Sequence, residues 1–91
     1  MEQAALYSTV KDAGYSVLMF EDHPQFFGNW RAIVKRGQRV YEIVSDNREG
    51  WLSLWLHEGG KGSRLFETES SKLGQEQELA QVSAWLLEIA R

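Results

Sequence analysis

Three observations predict a two-layer α+β fold for this chain. Three stretches of alternating residues run from Trp30 to His57, joined by two tight turn signals; an apolar run from Tyr15 to Phe20 precedes them; and helical spacing marks both ends. The expected architecture is an antiparallel four- or five-stranded meander with an N-terminal and a C-terminal helix on one face, forming a single domain over residues 1–91.

The first element reads as a helix from Glu2 to Ala13. Leu6, Val10 and Ala13 recur at spacings of four and three, and Gly14 stands at the position after the helix where glycine is favoured. Tyr15 to Phe20 reads as a strand. Glu21-Asp22-His23 then reads as a solvated turn, because Pro24 removes a backbone donor and restricts the residue before it. Phe26 and Phe27 fall in an irregular connection that closes at Gly28-Asn29.

Trp30 to Arg36, Arg39 to Ser45 and Trp51 to His57 are the three alternating strands. A two-residue turn at Gly37-Gln38, of the type that takes glycine first, pairs Val34 with Tyr41, Ala32 with Ile43 and Trp30 with Ser45. A four-residue loop from Asn47 to Gly50 sets Asp46 opposite Trp51, Ile43 opposite Leu54 and Tyr41 opposite Leu56. Trp30, Ala32, Val34, Tyr41, Ile43, Leu52, Leu54 and Leu56 then share one almost wholly apolar face, which is assigned to the core. Arg31, Ile33, Lys35, Val40, Glu42, Val44, Trp51, Ser53, Trp55 and His57 share the other, mixed face. A loop one residue longer or shorter would exchange the tryptophans and leucines of the last strand between the faces.

Glu58 to Ser63 reads as a flexible glycine-rich loop, and Arg64 to Thr68 as a possible short edge strand. Gln75 to Ala90 is helical, with Leu79, Val82, Leu86 and Ile89 on one stripe and Glu76 and Glu78 placed in the first turn where the helix dipole favours acids. Ser70 or Ser71 could cap it, although Gly74 argues for a start near Gln75.

Composition excludes several chemistries. The chain has no cysteine, so neither a disulfide framework nor a thiolate nucleophile is available, and two histidines make a poor structural zinc set. Glu21-Asp22-His23, with His57, is the nearest approach to a catalytic or metal cluster, but consecutive residues do not converge on one ion and no spaced ligand motif supports them. Gly59-Gly60-Lys61-Gly62-Ser63 looks like a phosphate loop but lacks the Walker spacing and does not lead into a helix. No enzyme activity, cofactor or metal is expected. There is no basic segment followed by a long apolar stretch, so the expected location is cytoplasmic, with no membrane attachment.

The functional expectation rests on the mixed face. Trp51 and Trp55 stand on it beside Ile33 and Val44, with Arg31, Lys35 and Glu42 around them, which is the composition of a protein-binding patch. The alternative is that the Phe26-Phe27 connection or the Glu58 to Ser63 loop folds over this face. Single-stranded nucleic acid is a second expected class, with the indoles as stacking platforms and Arg31, Lys35, Arg36 and Arg39 tracking phosphates, although a net charge of −3 opposes it. Self-association through the sheet face or an edge strand is a third.

Phe26-Phe27-Gly28-Asn29, the basic hairpin after it, and Val44-Ser45-Asp46-Asn47-Arg48-Glu49-Gly50-Trp51 together resemble small uncharacterised bacterial α+β proteins, some of which serve as immunity proteins to polymorphic toxins. The resemblance covers about the middle third of the chain. It implies a small bacterial protein that inhibits a partner by binding it, and it carries no catalytic residue with it.

Overall fold

The computed structural model describes all of residues 1–91. The elements are α1 (Gln3–Asp12), β1 (Ser16–His23), β2 (Asn29–Arg36), β3 (Arg39–Asp46), β4 (Trp51–Glu58), β5 (Lys61–Glu69) and α2 (Gln75–Ile89). The five strands form one antiparallel sheet in the order β1-β2-β3-β4-β5.

The central register follows from turn chemistry. Gly37 takes φ +61°, a value that a side chain resists, and the two-residue turn sets Trp30 opposite Ser45, Ala32 opposite Ile43 and Val34 opposite Tyr41. The β3–β4 connection is held by its own first residue. Asp46 Oδ1 accepts from the amides of Arg48 at 3.2 Å and Glu49 at 3.1 Å, while the Gly50 amide donates to the Asp46 carbonyl at 2.7 Å. Asp46 therefore faces Trp51, Ile43 faces Leu54 and Tyr41 faces Leu56.

That register puts the leucines beneath the helices. Trp30, Ala32, Val34, Tyr41, Ile43, Leu52 and Leu54 join Leu6 and Val10 of α1 and Val82, Trp85 and Leu86 of α2 in one buried cluster, with Leu56 packed partly buried against it. Phe66 of β5 stacks on Trp85 with ring centroids 5.6 Å apart and planes 7° from parallel. Tyr15 meets Tyr41 edge to face at 6.0 Å and donates its hydroxyl to the Leu86 carbonyl at 2.8 Å, tying the first strand to the last helix. The α1 terminus closes as a Schellman motif, with the Gly14 amide on Lys11 and the Tyr15 amide on Val10.

Three local expectations are corrected. Glu21, Asp22 and His23 are strand residues paired with Arg31, Trp30 and Asn29, and the strand ends at His23 because Pro24 cannot donate to a ladder. Glu58 to Ser63 is no loop. Gly59 and Gly60, at φ +59° and +80°, form a two-residue hairpin turn, and pairing begins at once with Glu58 opposite Lys61. The edge strand is consequently nine residues long rather than a short stub over Arg64 to Thr68. The second helix starts at Gln75 as expected, after Gly74, whose amide donates to Gln77 Oε1 at 2.8 Å; Ser70 and Ser71 lie before it in the connection.

Both edge strands carry a bulge. Pairing slips between Val17 and Met19 in β1, leaving Leu18 exposed, and β5 contains Leu65 as an extra residue between Arg64 and Phe66, also exposed. Bulges interrupt the row of free backbone groups that an edge would offer to another strand. No helix is long and apolar enough to cross a membrane.

Candidate functional site on the outward sheet face

The face away from the helices is read most easily as rows across the strands. Arg31, Val44, Ser53 and Glu67 form one row; Ile33, Glu42, Trp55 and Arg64 the next; Lys35, Val40, His57 and Gly62 a third. At the other end Asp46, Trp51 and Glu69 form the last.

Neither segment that the alternative reading folds over this face does so. Glu58 to Ser63 belongs to the sheet, and Phe26 and Phe27 pack edge to face on each other at 5.1 Å while remaining more than half exposed. Trp51 is 44% exposed. Trp55 is half-buried by its own neighbours. Its Nε1 donates to Ser53 Oγ at 2.9 Å, Arg64 lies 5.9 Å from its ring centroid, and Gly62 of β5 lies beside the indole edge. Ser53, expected to be wet, is buried in consequence.

Glu42, Val44, Trp51 and Trp55 line a shallow concavity of about 490 Å³ together with Asp46, Glu49, Ser53, His57 and Glu67. A second concavity of about 370 Å³ adjoins it at Val44 and Asp46 and is lined by Arg31 and Phe26. The apolar surface thus continues from Trp55 through Trp51 and Val44 to Phe26. Of the seven residues expected to bind a partner, Trp51, Trp55, Val44 and Glu42 converge on the first concavity, and Arg31 lies in the second. Ile33 is the row neighbour of Glu42, and Lys35 sits one row beyond at the far end from Trp51.

The electrostatics differ from a basic-rimmed patch. Arg31 is engaged on both sides, with Nε 3.2 Å from Glu21 and Nη1 3.1 Å from Glu42, and Glu42 also meets His57 Nε2 at 2.8 Å. With His23 3.5 Å from Glu21, an alternating series of charged and titratable groups crosses four strands. Glu21, His23 and His57 belong to this series and form no catalytic dyad with a nucleophile. No group of three or more His, Asp or Glu side chains converges as a metal site. Arg36 and Arg39 fall on the helix side of the sheet, where Arg36 donates to the Ala90 carbonyl at 3.3 Å and lies over the Tyr15 ring. The phosphate track required for nucleic acid is therefore split between two faces.

Residue spacing alone does not reveal the acids of the concavity, Asp46, Glu49 and Glu67, because Asp46 and Glu49 belong to the turn signal and Glu67 to a segment whose pairing with β4 the sequence leaves open. Phe26 was also missed as a site residue. Its signal was the Phe27-Gly28 pair, both at positive φ (58° and 68°), which turns the connection back toward β3. The connection is fixed there by Asn29 Oδ1, which accepts the Asn47 amide at 2.7 Å, and by Asn47 Nδ2, which donates to the Gly28 carbonyl at 2.9 Å.

No family model matches this chain, and no curated protein or solved structure matches it significantly.

Proposed function

We propose that this protein is a small non-enzymatic interaction module that binds a protein partner through the outward face of its sheet. One observation carries the reading: a 44% exposed tryptophan stands in a concavity with a second tryptophan, on the face of the sheet opposite the one that packs against the helices. An exposed aromatic cluster on a small domain commonly marks a contact surface, and large aromatics dominate binding energy at such surfaces. The blunted edges favour the face over strand addition as the route of contact.

The specific form suggested by the resemblance is a bacterial immunity or inhibitor protein acting in the cytoplasm. Co-expression with a toxin-like reading frame encoded beside its gene tests this. Survival that depends on this protein and is lost in Trp51→Ala is the expected result; survival unaffected by Trp51→Ala overturns the assignment of the face. Sedimentation across a concentration range separates a different partner from a second copy. The proposed reading expects a monomer.

A further inference from the structure

We infer that the partner presents a lysine or arginine side chain, on a basic protein segment, to Trp51 and the carboxylates beside it. The inference rests on the interaction reading above and adds the partner's chemistry.

Charge is balanced differently at the two ends of the outward face. Around Ile33 and Trp55 the carboxylates are matched within the chain: Glu21 and Glu42 by Arg31, and Glu67 by Arg64. Around Trp51 they are not. Glu49 forms no ion pair, Asp46 turns Oδ1 to the amides of its own turn, and Glu69, directly across from Trp51, accepts only the Ser71 hydroxyl at 3.1 Å. Arg48, the cation of the intervening turn, pairs with none of them. An indole face attracts a cation through its quadrupole, and adjacent carboxylates add Coulomb attraction, which is stronger where the site is partly withdrawn from water.

The same face already displays this combination once. Arg64 lies 5.9 Å from the Trp55 centroid and bonds Glu67 at the same time, so one guanidinium serves both a ring and a carboxylate. Trp51 with Glu49 and Glu69 repeats the ring and the carboxylates one strand end away, without a cation from the chain itself. A basic partner supplies the complementary charge; a phosphate backbone would be repelled.

The test is an NMR titration of the labelled protein with a short peptide alternating arginine and glycine, and with its glutamate-for-arginine counterpart. The expected result is that only the basic peptide binds, with shifts concentrated at residues 46–51 and 69. The Glu49→Gln/Glu69→Gln pair should weaken it about tenfold, and the charge-matched Glu2→Gln/Glu76→Gln pair on the helix side should leave it unchanged. No shift with the basic peptide, or equal weakening by both pairs, overturns the inference. A natural partner lost in Trp51→Ala but retained by Glu49→Gln/Glu69→Gln also overturns it, while leaving the interaction module standing. A natural partner indifferent to Trp51→Ala overturns both.

Discussion

The two faces of the central strands are built from alternate residues of the same segments, and each contains large aromatics, yet the rings do opposite work. On the helix side Trp30 is 2% exposed and Trp85, from α2, stacks on Phe66, so their area is removed from water by the fold itself. On the outward side Trp51 keeps almost half its surface and Trp55 is half-buried against Ser53 of its own strand and Arg64 of the next. Residue type therefore does not separate core from contact surface in this molecule. Strand parity does, and parity was decided by two turns of fixed length.

The sharpest way to break the comparison is to truncate one residue on each side. Leu54→Ala, fully inside and opposite Ile43, is expected to lower the unfolding free energy by about 2 to 5 kcal/mol, read from a denaturant midpoint. Trp51→Ala removes a larger side chain and is expected to change stability by less than about 1 kcal/mol. Its cost should fall on partner affinity instead, at about 2 kcal/mol, measured by calorimetry with the partner in hand. A large stability loss in Trp51→Ala would erase the distinction between the faces.

Polar groups sharpen it further. Ser45 occupies the helix-side parity and donates to Glu78 Oε2 at 2.6 Å, and both residues are buried. Ser45→Ala leaves that carboxylate without its donor and is expected to destabilise the fold by about 1.5 kcal/mol, whereas removing the exposed Glu49 carboxylate should leave the denaturation midpoint nearly unmoved.

The smallest effect concerns pH. Burial raises the Tyr15 phenol above the ordinary 10.0; a hydrogen bond from Arg36 opposes this, the nearby Tyr41 adds to it, and the Arg36 charge opposes it again. The folded state thus favours the neutral phenol. Its contribution is complete below the unfolded value and is lost as pH rises through the folded one, so stability should decline above about pH 10. Comparing the pH dependence of wild type and Tyr15→Phe isolates this slope; identical slopes would remove Tyr15 from the account.

Legibility in the sequence followed the strength of local chemistry. Gly37-Gln38 and Asp46 to Gly50 each have a preferred geometry independent of the remainder of the chain, and the three strands between Trp30 and His57 were readable in register because of them. Glu58 to Ser63 misled because a glycine-rich stretch is equally compatible with a mobile loop and a tight hairpin; the cross-strand partners of Lys61 to Glu69 choose between them. Glu21 to His23 read as a turn because Pro24 interrupts the pattern, whereas Pro24 ends the strand only after His23. The helix dipole accounts for an acid at Glu78, but its burial depends on Ser45, distant in the chain.

Alternation and turn chemistry, both local properties, were thus sufficient to dictate an α+β meander, its central register and the segregation of the leucines of β4 from its two tryptophans. Long-range pairing alone decided that β5 completes the sheet, that neither candidate cover lies over Trp51, and that carboxylates from a turn and from an edge strand gather around it. Those outcomes arise because distant backbone pairing brings charges together that no spacing along the chain encodes.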